Sequence, residues 1–356
     1  TETTSTTAAP PAPEESILAV MTLRQKAAQV LLLSFSGTTL TATTAELLAL
    51  GPPGGLLLLG PNVTDAEQLA DLTQAVQEEA AGTVLGVGLF IAVDQEGGSV
   101  RRIREGVPDL PGARVLGDRS TPVEAGRLAA ETARGLLRQG VNMNLAPVAD
   151  VVADSASFLY DRSYSGDPAV VAEYVTTVTR AFVSAGLITV VKHFPGHGSA
   201  PGDTHGQAVI SDIGRRDFER IHLPPFQAAI DAGAEGVMLS HIVATAYDPA
   251  DPGSQSKPVI ERLLRGDLGF QGLAVSDDLS MAAAAAPADE GGADGPGTAA
   301  AEAGRRAVNA LRAGCDLLIS TGTLEQHVAV IEAIVEAVVS GDLPAERLDQ
   351  AVLRIL

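Results

Sequence analysis

Tryptophan is absent and cysteine occurs once, at Cys315, in a chain of 356 residues. A lone thiol cannot close an intramolecular disulfide, and without a Cys-x-x-Cys pair neither a thiolate zinc site nor a dithiol redox site is encoded. Basic residues are scarce: 24 Lys and Arg stand against 44 Asp and Glu, and the formal net charge of −20 repels polyanions, which excludes nucleic acid as a partner. No apolar run approaches the roughly 18 residues of a membrane-crossing helix. The N-terminus lacks the basic-then-apolar layout of a signal peptide. The first strand–loop junctions carry no G-x-G-x-x-G, and G-x-x-x-x-G-K-[ST] occurs nowhere, so the usual dinucleotide and nucleoside triphosphate sites have no support. What remains is 46% hydrophobic and 19% charged. That is a globular composition, and the length suits one large or two medium domains at roughly 100–200 residues each.

Thr1 to Ser16 reads TETTSTTAAPPAPEES, a Thr/Ala/Pro tract that cannot offset its ordering entropy by burial. It is expected to be a flexible tether, and tethers of this kind often join a secreted domain to a membrane anchor. An extracytoplasmic place is therefore expected, as a secreted protein or a lipoprotein anchored through a removed N-terminal segment. A plain disordered terminus and a cytoplasmic location are the competing readings, and a monomer is expected. A second low-complexity stretch, Ala282 to Ala300, reads as a loop flanking a helix.

Between these segments eight short apolar runs are bounded by Gly, Pro or Asp: Val30–Phe35, Gly55–Leu59, Leu89–Val93, Val141–Leu145, Leu187–Val191, Gly236–Leu239, Gly272–Val275 and Cys315–Ile319. Most are apolar at consecutive positions, the pattern of strands buried on both faces of a parallel sheet. The gaps carry helical periodicity, over Val123–Leu137, Val170–Ala185, Phe218–Ala232, Glu302–Ala313 and Leu324–Val339. Thr64-Asp65-Ala66-Glu67 reads as a capping box opening another helix. Eight β/α repeats over residues 17–356 predict a single α/β domain, a (β/α)₈ TIM-type barrel, with an open doubly wound sheet as the alternative.

A barrel carries its chemistry at the C-terminal ends of its strands, and ionisable residues collect there. Strand three runs into Asp94-Gln95-Glu96-Gly97-Gly98, strand four into Asn144 and then Asp150, and strand five into Lys192-His193. Strand six leads to Ser240-His241 and strand seven to Ser276-Asp277-Asp278. The densest segment runs from Lys192 to His205 and holds three of the six histidines. It reads as a shaped, Gly- and Pro-rich loop. A metal site on His193, His197, His205 and Asp203 is one reading, though no H-E-x-x-H helix supports it. Histidines that satisfy local hydrogen bonds are another. The favoured reading is an acid/base device: Asp203 beside His205 raises the imidazole pKa from its usual ~6.5 and keeps a proton donor available near neutral pH. Across the mouth, Asp277 is the candidate carboxylate nucleophile, with capping of the next helix as the alternative role for one of the Ser276–Asp278 group.

The motifs Asp94-Gln95-Glu96-Gly97-Gly98, Asp161-Arg162-Ser163-Tyr164, Lys192-His193-Phe194-Pro195-Gly196-His197-Gly198, Asp203-Thr204-His205 and Ser276-Asp277-Asp278-Leu279-Ser280-Met281 stand in an order that resembles glycoside hydrolase family 3. The resemblance is to its β-N-acetylglucosaminidases of the bacterial NagZ type and covers the chain from about Ile17 onward. It implies a cofactor-free enzyme, needing no metal, that removes terminal β-linked N-acetylglucosamine from muropeptides and other peptidoglycan fragments with retention. By the resemblance Asp277 is the nucleophile, and His205 with Asp203 replaces the second carboxylate usual in retaining enzymes. Asp94, Arg102, Arg162, Lys192 and His193 correspond to the family's sugar-binding residues. Ser99, Thr204 and Tyr164 depart from the family's common Arg, Ser and Phe, and Ala153 to Tyr160 lacks its typical Asn-Pro segment. Three other outcomes stay open: a phosphorylase using phosphate in place of water, a metal-dependent hydrolase, and a sugar-binding lipoprotein without turnover.

Overall fold

Strand by strand, the apolar runs are buried on both faces, as side chains between a barrel interior and an outer helix layer must be. The computed structural model describes residues 12–49, 51–83, 85–200, 202–204, 209–281, 284 and 296–356. Its parallel strands are β1 (Leu31–Ser34), β2 (Gly55–Leu58), β3 (Phe90–Val93), β4 (Met143–Asn144), β5 (Ile188–Phe194), β6 (Gly236–Leu239), β7 (Leu273–Ser276) and β8 (Leu318–Ser320). Each pairs in parallel with the next from β1 to β7, and β8 returns to β1 through Leu31↔Leu318 and Leu32↔Ile319. The last gap, between β7 and β8, is joined by a single bridge, Val275↔Leu317. The result is one (β/α)₈ barrel. A continuous core runs through all eight strands and the inner faces of the surrounding helices.

The periodic segments form helices at Pro122–Arg138, Pro168–Ser184 and Leu324–Ser340, close to the expected bounds. Four details differ. The single helix expected over 218–232 is two, Arg215–Ile221 and Leu223–Asp231, because Pro224 and Pro225 have no N–H to continue the ladder. The helix after β2 is capped by Asp65, whose carboxylate accepts from the Gln68 amide at 2.9 Å, and not by Thr64. The tether boundary at Ser16 falls inside a helix, Pro13–Val20, that rests Ile17 and Leu18 on the core; residues 1–11 lie outside the described residues. Of the Ala282–Ala300 loop, residues 296–300 belong to the helix Pro296–Ala313, and most of the remainder is outside the described residues.

At the N-terminal end of β8 the buried carboxylate of Asp316 is gripped by three arginines: Arg265 at 2.5 Å, Arg347 at 3.0 Å and Arg354 at 2.8 Å. Arg265 comes from the π-helical segment Pro258–Asp267, the other two from the helix Ala345–Ile355. Asp316 also accepts the Ala274 amide at the foot of β7. Chemistry at the opposite end is thus held on a barrel closed from below.

Candidate active site

The C-terminal strand ends converge on a cavity of about 420 Å³. Lys192 lies within β5 itself, which runs three residues beyond the expected strand end, and its side chain is buried. Its ammonium meets Asp94 at 2.5 Å and Glu96 at 2.7 Å. Burial alone would lower the Lys192 pKa, but the two carboxylates outweigh it and the pKa is raised. Glu96 also takes a two-pronged pair from Arg162, at 2.8 and 2.7 Å. Burial works against its charge, yet Lys192 and Arg162 overcome this and hold its pKa at about 2. Gln95 anchors the segment by bonding Asn144 on β4 and the amides of Arg102 and Ile103, which brings Arg102 to the cavity wall.

From Arg162 the network continues to His193. Arg162 Nη2 lies 3.4 Å from His193 Nε2, and His193 Nδ1 lies 2.7 Å from Asp150 Oδ2. Asp150 is fully buried and also accepts the amides of His193 and His197. Its pKa is lowered because His193 and His197 offset the cost of burial. Asp150 thus holds Nδ1 and sets the plane of the His193 ring, with Nε2 on the side of Arg162 and the cavity.

Ser276, Asp277 and Asp278 divide their tasks. Ser276 is buried and accepts the Ile319 amide. Asp278 ties β7 to the loop after β8 by accepting from Ser280 and from both the amide and the hydroxyl of Thr321. Asp277 is left to face the cavity, half-buried, with the Asp278 amide on Oδ1 at 2.9 Å. Burial would raise its pKa, but His241, His193, the Asp278 amide and Lys192 more than offset it and keep the carboxylate ionised. Beneath it His241 is locked between Ser254 Oγ at 2.7 Å and the Asp278 carbonyl at 2.9 Å.

Of the residues singled out from the sequence, Asp94, Arg102, Arg162, Lys192, His193 and Asp277 line this one cavity. Asp203 is exposed on the neighbouring depression, of about 580 Å³, whereas the adjacent Thr204 is buried and lines the site cavity. Phe158 borders both. His205 lies outside the described residues, so the Asp203–His205 pair is not part of the described geometry. As to a metal, His193 is committed to Asp150, and among the described residues no three ligand-type groups converge. Sequence reasoning passed over Glu96 and Asp150 as site members. Both had a signal, since Glu96 sits two residues beyond Asp94 and Asp150 follows strand four. Thr321 and Phe158 had none.

The description "Glycosyl hydrolase family 3 N terminal domain" belongs to a family model that matches residues 22–356. The chain belongs to glycosyl hydrolase family 3. A β-hexosaminidase of Nitrosomonas eutropha is 36% identical over 295 residues, 81% of this chain and 79% of that protein. One from Methylococcus capsulatus is 36% identical over 310 residues, 84% of each. Among solved structures, a family 3 β-N-acetylglucosaminidase of Paenibacillus superposes with a TM-score of 0.87 at 34% identity, over 94% of this chain and 62% of that one. NagZ of Neisseria gonorrhoeae, solved with N-trifluoroacetyl-D-glucosamine, gives a TM-score of 0.74 at 26% identity over 92% and 89%. As a family 3 member the chain is a glycoside hydrolase, in keeping with the resemblance of its motifs.

Proposed function

We propose that this family 3 hydrolase is an exo-acting, retaining β-N-acetylglucosaminidase, with peptidoglycan fragments as its natural substrates. Support for the sugar comes from the β-hexosaminidase relatives and from the N-acylglucosamine bound by the Neisseria protein. The observation that carries the mechanism is the placement of Asp277: an ionised carboxylate facing the cavity, beside an Asp278 whose oxygens are already occupied.

In this reading Asp94 accepts from sugar hydroxyls, while Arg102, Arg162, Lys192 and His193 donate to them, and the network around Glu96 holds the donors in place before substrate arrives. An Asp277 oxygen attacks the anomeric carbon as the bond to the leaving oxygen breaks. That oxygen takes a proton from the His205 imidazolium, which Asp203 stabilises. Water then gives its proton back to the imidazole, attacks the same carbon and releases Asp277, so two inversions give retention. Support for the acid/base segment is the position of Thr204 between its two members and on the cavity wall.

Asp277→Ala should lower turnover of a chromogenic N-acetyl-β-glucosaminide by about 10⁴-fold or more, and near-wild-type turnover would sink the assignment. Running the wild type in phosphate buffer separates the two acceptors: free N-acetylglucosamine supports hydrolysis, and a sugar 1-phosphate supports phosphorolysis.

A further inference from the structure

We propose that His197 is a substrate-binding residue, its Nε2 forming a neutral hydrogen bond with a hydroxyl or the acetamido group of the sugar in the Asp277 cavity. The proposal rests on the glycosidase reading given above.

The geometry shows a ring held through its amide and its packing, with a far nitrogen that has no partner. Its amide donates to Asp150 Oδ1 at 2.6 Å. The glycines on either side sit where no side chain would fit. A Cβ on Gly196, which has φ +128°, would stand 2.6 Å from the His222 side chain, and one on Gly198 would stand 2.0 Å from the Val151 carbonyl oxygen. The ring packs edge-on against Phe158, centroids 5.2 Å apart, and lies 6.5 Å from the His193 ring. The residue is only 3% exposed and lines the same cavity as Asp277, yet Nε2 has no hydrogen-bond partner.

A buried, unpaired polar atom costs folding free energy unless a ligand supplies its partner. Burial also lowers the His197 pKa despite the pull of Asp150, so the ring is neutral at neutral pH and can give or take one hydrogen bond according to its tautomer. Such a contact adds orientation without adding charge to a pocket that already holds four ion-pairing side chains.

The test compares His197→Phe with His197→Gln. Phenylalanine keeps the packing on Phe158 and removes the nitrogen, whereas the glutamine amide can reach the Nε2 position. The expected result is that His197→Phe unfolds at the same or a higher temperature than wild type but loses about ten-fold in kcat/KM. Its affinity for N-acetylglucosamine, measured by calorimetry, falls in parallel, and His197→Gln recovers most of both. A phenylalanine variant with wild-type kinetics and sugar affinity would overturn the proposal. So would one whose kinetic loss the glutamine variant does not recover although both variants are folded. Failure of the glycosidase reading is distinguishable, because then the wild type itself would neither cleave the glycoside nor bind the sugar.

Discussion

Glu96 shows how one side chain can govern a site whose substrate it need not touch. It is the shared partner of Lys192 and Arg162, its side chain is only 6% exposed, and its pKa is held at about 2 against an ordinary 4.5. Because the folded value is the lower one, its contribution is fully present above about pH 4.5 and is lost as the pH falls through about 2. Glu96→Gln should therefore destabilise the protein by about 3 kcal/mol at pH 7 and by much less near pH 2. It should also raise KM about ten-fold or more, as the two donors lose their fixed geometry. Urea unfolding at both pH values together with substrate kinetics checks this. An equal loss of stability at the two pH values would show that the carboxylate charge is not what matters. Asp277 and Asp278 make the same point from the other direction: they are neighbours of identical chemistry, one consumed by Thr321 and Ser280, the other turned to the cavity.

Among elements, the two ends of the barrel separate stability from chemistry. Asp316 sits at the foot of β8, where arginines from Pro258–Asp267 and Ala345–Ile355 meet it, and among the described residues no strand-top side chain takes part. Asp316→Asn leaves three guanidinium groups without their counter-charge. It is expected to cost about 3–5 kcal/mol while leaving KM for the glycoside unchanged. A shift in the urea midpoint with constant KM supports this division, and a changed KM in folded protein contradicts it. At the top, the long loop after β5 is pinned at its far end by Val209–Ser211, which pairs in parallel with Ile242–Ala244. It is held near its start by a hydrogen bond between His222 and Ser199 at 2.8 Å. The segment bearing Asp203 and Thr204 is thus tethered on both sides next to the cavity.

For the whole molecule, the barrel was legible because burial on both faces writes consecutive apolar residues into each strand, and those eight runs match eight observed strands. The candidate site was legible where a residue carried charge at a strand end, as Asp94, Lys192 and Asp277 do. It was not legible where the role depends on what folding brings alongside: Phe158 and Thr321 enter from loops distant in sequence, and the break at His222 depended on how two prolines compete with a strong amphipathic pattern. The net charge of −20 constrained partners but said nothing about the cavity, whose own charges are largely paired. The central claim is that Asp277 becomes covalently attached to the sugar, and trapping tests it most directly. With Asp203→Ala and an N-acetyl-β-glucosaminide bearing a good leaving group, the first step needs little acid help, while the second depends on a His205 base that has lost its supporting carboxylate. Peptide mass spectrometry should then find one N-acetylhexosamine unit on Asp277, and proton NMR of wild-type turnover should show the β-anomer as first product. An adduct on a different residue, or an α-anomer as first product, would contradict the account.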